Sequence, residues 1–354
     1  MKADLEGTAR ALVSRGKGIL AADETVPTLT KRFDALGIPS TPSTRRDYRE
    51  MLLTAGGEAE FISGVIMQDE TIRQESSDGS PLVSVCRRLG ILPGIKVDLG
   101  AKALAGWSDE RVTEGLDGLR ERLAEYRNLG AHFAKWRAVF AVSNALPTEA
   151  CVAANAHALG RYAALCQEQD IVPIVEPEVL MDGTHTIERC EEVTGNVLQA
   201  VFAALHEQGV SLEDMLLKPN MVVPGAASPR QASVAQVAAA TLRCLRRHVP
   251  PAVPGIVFLS GGQNDVLATQ HLNAINRAEG PKPWTLTFSY GRALQDAALA
   301  AWGGKPENLT AGERQLYHRA RCNSLAAVGA YTEAEEKQVR GEILAGVSGG
   351  WDDD

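Results

Sequence analysis

Short apolar runs bounded by turn residues alternate along the chain with stretches whose apolar positions recur every three or four residues. Eight of the runs read as buried strands: 18–23, 64–67, 94–98, 132–137, 172–178, 215–220, 255–262 and 284–290. Their starts lie roughly 30–45 residues apart, the length of a strand, loop, helix and return. Between them the period is helical. Leu116, Leu119, Leu123 and Tyr126 share one face of a helix that Gly130 stops. Thr186 is placed to cap a helix through Val193, Val197, Val201 and Leu205 that ends at Gly209, and Ser233 opens another over 234–249, closed by Pro250-Pro251. Strand and helix alternating eight times predict an α/β fold, a single (β/α)8 TIM barrel with extra N- and C-terminal segments. An open doubly wound sheet is the alternative, but no GxGxxG follows the first strand and the eight units match closure. The barrel is expected over residues 1–331. Residues 332–354, charged and then Gly-rich, are expected to form a mobile tail.

Composition narrows the class more than the fold. A length of 354 residues suits one such domain. A net charge of −8 argues against a nucleic-acid surface, so an anionic ligand would need local cations. No apolar run approaches the ~20 residues that span a bilayer. The N-terminus carries early acids and no apolar signal core. A cytoplasmic protein without membrane contact is expected. The six cysteines, at 86, 151, 166, 190, 244 and 322, form no CxxC pair and read as reduced thiols. The seven histidines form no HxH or HxxxH pair, so no metal mechanism and no cofactor are expected. His132 and His185, the two near strand segments, read as hydrogen-bonded structural residues.

Candidate chemistry gathers where such barrels keep it, at the C-terminal ends of the strands. There stand Asp23, Lys96 with Asp98, Lys135 with Arg137, Glu176 with Glu178, Lys218 and Ser260. Alternation along a strand points residues i and i+2 the same way, so each of these pairs points together. Charges in apolar strands are costly unless they converge and pair. Lys218 stands out in Met215-Leu216-Leu217-Lys218-Pro219-Asn220. Desolvation disfavours an ammonium, and a neutral amine is a nucleophile for carbonyls, typically through a Schiff base. Two Gly-bearing turns, Ser260-Gly261-Gly262-Gln263 and Ser289-Tyr290-Gly291-Arg292, close the seventh and eighth strands. Backbone amides there form a recurrent phosphate cradle, to which Arg292 adds a guanidinium fork.

The string of motifs resembles class I fructose-1,6-bisphosphate aldolase, the metal-independent type, from about residue 8 to 331. The motifs are Gly18-Ile19-Leu20-Ala21-Ala22-Asp23-Glu24, Ile95-Lys96-Val97-Asp98, Phe133-Ala134-Lys135-Trp136-Arg137 and Val172-Pro173-Ile174-Val175-Glu176-Pro177-Glu178. In the same order follow Leu216-Leu217-Lys218-Pro219-Asn220, Phe258-Leu259-Ser260-Gly261-Gly262-Gln263 and Phe288-Ser289-Tyr290-Gly291-Arg292-Ala293-Leu294. The resemblance implies Lys218 as the Schiff-base lysine and Glu176 as the acid/base that expels water from the carbinolamine. It implies Asp23 in C3–C4 cleavage and Lys135 polarising substrate hydroxyls, with Glu178 holding the lysines in place. Ser260, Gly261, Gly262, Ser289, Gly291 and Arg292 would take the C1 phosphate, and Lys96, Arg137, Thr25 and Thr28 the other phosphate end. A homotetramer handling small sugar phosphates is also implied. Fructose bisphosphate, sedoheptulose bisphosphate and fructose 1-phosphate are not ranked.

Two departures stand beside the resemblance. Thr25-Val26-Pro27-Thr28 replaces the Ser-Thr-Gly-Ser usual in the family, and the chain ends in Trp351 and three aspartates where many members end in tyrosine. Residues 348–354 are therefore expected to be dispensable for cleavage, the alternative being that Tyr331 or Trp351 folds back to replace the tyrosine. The rival readings are another Schiff-base aldolase or transaldolase, and a silent scaffold. The scaffold would require a lost catalytic side chain, and none is lost.

Overall fold

The structure, a computed structural model, describes residues 4–337. Eight parallel strands close into a barrel. They are β1 (Gly18–Ala22), β2 (Ile62–Met67), β3 (Leu92–Lys96), β4 (Phe133–Phe140), β5 (Val172–Val179), β6 (Leu216–Leu217), β7 (Gly255–Phe258) and β8 (Thr285–Tyr290). Neighbours in sequence are neighbours in space, and β8 returns to β1 with Leu20 opposite Tyr290. Each expected strand is present, and the doubly wound alternative falls with closure.

Period-two alternation divides the core into two layers. Ile19, Ala21, Ile66, Phe133, Val172, Ile174, Leu216 and Val257 fill the barrel, joined by Leu5, Ala9, Leu12 and Val13 of the N-terminal segment, whose helix is Leu5–Leu12. Leu20, Ala22, Ala134, Val175, Leu217 and Ile256 belong instead to the layer shared with the surrounding helices. That parity decides the site. Asp23 follows Ile19 and Ala21, Lys135 follows Phe133, Glu176 follows Ile174, and Lys218 follows Leu216.

The expected caps are in place. Thr186 accepts from Arg189 N–H at the start of the helix Ile187–Glu207, and Ser233 and Gln236 form a capping box on Val234–His248. Val249, expected inside that helix, is extended and outside it. Gly130 ends Leu119–Leu129 at φ 110°, a left-handed conformation that glycine adopts without strain. An antiparallel hairpin, Ala101–Leu104 with Trp107–Thr113, was not expected. Its strands are charged and largely exposed, so no apolar run marks them.

Part of the expected tail is held. Glu336 pairs with Arg319, Glu335 pairs with Arg321 at 2.8 Å, and both arginines lie on the helix Leu309–Ala327. Residues 338–354, with Trp351, lie outside the described residues. No helix among the described residues is long and apolar enough to cross a membrane.

Candidate active site

Strand parity brings four charged side chains together at the C-terminal mouth. Lys135 Nζ lies 2.6 Å from Asp23 Oδ2 and 3.4 Å from Glu176 Oε2, while Glu176 Oε1 lies 3.4 Å from Lys218 Nζ. The result is a continuous run of acid–amine contacts, Asp23–Lys135–Glu176–Lys218. Lys135, Glu176 and Lys218 are buried. Glu176 Oε2 accepts no hydrogen bond, which leaves a buried oxygen open for a proton.

Burial opposes ionisation throughout, and the charges answer it. Asp23 is pushed up by burial, but Lys135, Lys218 and Lys96 together hold its carboxyl below the usual carboxylate range. Burial presses Lys135 down, yet Asp23, Glu176 and Asp98 outweigh it and keep the ammonium charged. Asp23 is thus a carboxylate poised beside a fixed cation.

Around this centre stand the other expected residues. Lys96 Nζ donates at 2.6 Å to both the carbonyl and Oδ1 of Asp98. Arg137 Nε donates to Glu178 Oε2 at 2.5 Å. Glu178 therefore holds Arg137, not the two lysines, and the residue that touches both lysines is Glu176. Arg137 also turns outward, half exposed, where Lys135 is buried. Thr25 and Thr28 share a 3.0 Å hydroxyl contact at the start of the helix Val26–Asp34. Pro27 sits in that first turn, where a backbone N–H has no helical partner to lose.

The turns after β7 and β8 face each other. Gly261 and Gly262 have φ of 56° and 88°, and a side chain on Gly262 would point to within 3.7 Å of Arg292 Nη2. Gly291 caps the helix Arg292–Trp302, and the Ser289 hydroxyl is buried with no partner. Glycine amides, a helix N-terminus, an unsatisfied hydroxyl and an exposed guanidinium are the groups that suit an anion.

Some residues escaped the sequence reading. Arg32 ties Glu24 to Gln295 and Asp296, Gln295 donates to the Ala21 carbonyl, and Arg49 donates to that of Glu24. This net fixes the turn that carries Asp23, but its members are far apart in sequence and each looks like an ordinary surface charge. His185 was expected to be hydrogen-bonded; it is buried with neither ring nitrogen partnered. The Tyr331 hydroxyl donates to Glu336 at 2.8 Å, outside the Asp23–Lys135–Glu176–Lys218 contacts.

Comparison with known proteins converges on one family. The profile of the family described as fructose-bisphosphate aldolase class-I matches residues 4–345. The chain is 54% identical to "Probable fructose-bisphosphate aldolase class 1" of Xanthomonas campestris pv. campestris over 92% of its own length and 97% of that protein's. It is 49% identical to "Fructose-bisphosphate aldolase 4, cytosolic" of Arabidopsis thaliana, covering 93% of this chain and 84% of that one. Among solved structures, fructose-bisphosphate aldolase from Plasmodium falciparum, in complex with TRAP and a small-molecule inhibitor, superposes with a TM-score of 0.91. The identity there is 49%, over 93% of this chain and 95% of that one.

Proposed function

The chain belongs to the class-I fructose-bisphosphate aldolase family, and we infer that its carbon–carbon chemistry runs through an iminium on Lys218. The enzyme is a lyase of glycolysis that reversibly cleaves fructose 1,6-bisphosphate to dihydroxyacetone phosphate and glyceraldehyde 3-phosphate. The observation that carries the assignment of roles is the contact sequence Asp23–Lys135–Glu176–Lys218.

In the cleavage direction Lys218 Nζ attacks the C2 ketone, and its surplus proton has an acceptor in Glu176 Oε1. Glu176 then protonates the carbinolamine hydroxyl, which leaves as water and gives the iminium. With C2 now an electron sink, Asp23 takes the proton of the C4 hydroxyl. The C3–C4 bond breaks, and glyceraldehyde 3-phosphate departs. Asp23 then returns its proton to solvent, and Glu176, reprotonated from solvent and in contact with Lys218, protonates the enamine at C3. Hydrolysis returns dihydroxyacetone phosphate and the free amine. Lys135, fixed between the two carboxylates, orients both and offsets charge on the reacting oxygens. Ser260, Gly261, Gly262, Ser289, Gly291 and Arg292 hold the C1 phosphate. Lys96, Arg137, Thr25 and Thr28 serve the other phosphate, with Glu178 setting the Arg137 guanidinium.

Borohydride reduction with dihydroxyacetone phosphate tests this reading. It should inactivate the enzyme with one adduct, mapped by mass spectrometry to Lys218, and Lys218→Met should abolish turnover in a folded protein. An adduct on another lysine, or none, refutes the assignment. The protein is also taken to be a cytoplasmic homotetramer, in keeping with its family and its cytosolic plant relative. Light scattering at working concentration and imaging of the tagged chain check these two points.

A further inference from the structure

One cluster among the described residues serves none of this chemistry. His318 and Cys322 stand one turn apart on the helix Leu309–Ala327, and Glu336 returns over them from the segment beyond Tyr331. His318 Nε2 lies 3.7 Å from Cys322 Sγ and 3.5 Å from Glu336 Oε2. The three donor atoms all fall within 4.8 Å of one another. Ligands on tetrahedral zinc, with bonds of about 2.0–2.3 Å, stand roughly 3.3–3.6 Å apart, and the two measured separations are close to that. Cys322 Sγ also lies 3.9 Å from His318 Nδ1, beside the ring, so the imidazole must turn to aim Nε2 at a shared ion.

We propose that His318, Cys322 and Glu336 bind one zinc-class divalent cation, with water from the adjoining groove as the fourth ligand. Imidazole, thiolate and carboxylate together suit a borderline metal such as zinc and disfavour magnesium or calcium, which take oxygen ligands. The groove, about 530 Å³, is lined by His318, Arg319, Tyr331 and Glu336 and opens to solvent. Cys322 is fully buried and His318 nearly so, whereas the Glu336 side chain is 21% exposed, so the ion enters from the Glu336 side.

Outer contacts already orient the ligands. Glu336 Oε1 accepts from the Tyr331 hydroxyl at 2.8 Å and from Arg319 Nη1 at 2.7 Å, the kind of support that ligating carboxylates carry. Arg319 Nη1 also reaches Oε2 at 2.6 Å, and that contact yields to the metal. The charges balance: a dication is neutralised by thiolate and carboxylate, and Arg319 is answered by Asp265 at 3.8 Å. Forming the metal–sulfur bond expels the Cys322 thiol proton to water.

Cobalt titration of the chelator-stripped full chain decides the matter. One equivalent of Co2+ should bind, with a thiolate-to-cobalt charge-transfer band and tetrahedral d–d bands. One equivalent of Zn2+ should displace it and raise the melting temperature. Cys322→Ser should erase the band, His318→Gln and Glu336→Gln should abolish stoichiometric binding, and Tyr331→Phe should weaken it by roughly 10-fold. Retained cleavage of fructose bisphosphate verifies the fold of each variant; if Cys322→Ser loses it, the His318 and Glu336 variants decide. A missing thiolate band, or unchanged binding in folded variants, overturns the site. Neither outcome bears on Lys218.

Discussion

At the scale of single residues, the site works by holding charges that burial alone would extinguish. Lys135 is the pivot, because Asp23 is kept ionised in a buried setting chiefly by its contact. The Asp23 pKa is lowered on folding, so its stabilising contribution is present above the unfolded value, near ~3.9, and is lost as pH falls through the folded value. Lys135 is raised, so its contribution is full below the unfolded lysine value and fades as pH rises through the folded one. Lys135→Met should therefore lower kcat by roughly 10²–10³-fold and move the acid limb of the pH–rate profile toward neutrality. A profile with an unmoved acid limb would show that Asp23 is not held by Lys135. Glu58 presents the opposite case. It is 1% exposed, neither carboxyl oxygen has a partner, and burial raises it well above the usual range. The native state then loses stability as pH rises from the unfolded value, near ~4.3, through the folded one. Glu58→Gln should melt like the parent in acid and above it at pH 8, and identical melting at both would refute the expectation.

Elements show which features sequence exposes and which it hides. The barrel strands were legible because burial on both faces makes each an apolar run, and parity then placed Asp23, Lys135, Glu176 and Lys218 on one side. The hairpin at 101–113 carries no such run, yet it is tied to the barrel's helices. Glu110, 2% exposed, accepts from Thr148 N–H at 2.8 Å and from its hydroxyl, just where Thr148 caps the helix Glu149–Glu168. Asn155 of that helix accepts from Thr113 N–H at 3.1 Å. Glu110→Ala should cost ~1–3 kcal/mol in urea unfolding, the penalty for stranding buried donors, with cleavage kinetics little changed. An unchanged midpoint would mean the hairpin does not cap the helix. Glu178 shows a different limit of the sequence. Parity gives the direction of a side chain but not its partner, and Arg137 on β4 reaches it before either lysine does. The His318–Cys322 pair is visible as a four-residue spacing on a helix, but such a spacing is common without a metal, and Glu336 joins it through tertiary structure alone.

For the whole molecule, the question is whether catalysis and the tail-side cluster depend on the same ion. The barrel mouth already holds a cation as a side chain: Lys135 contacts both Glu176 and Asp23, and Lys218 lies on the other side of Glu176. A divalent ion on either carboxylate would have to displace the Lys135 ammonium from it, in a buried setting where like charges repel strongly. His318, Cys322 and Glu336 instead bring two ionisable anions and an imidazole to one Arg-supported point. The two sites should therefore separate under chelation. Excess EDTA should leave steady-state cleavage of fructose 1,6-bisphosphate unchanged, while lowering the melting temperature of zinc-loaded enzyme to that of the stripped chain. Cleavage that disappears with EDTA and returns with a divalent ion would overturn the lysine-centred mechanism, because Lys218, Glu176 and Asp23 need no metal for any step assigned to them.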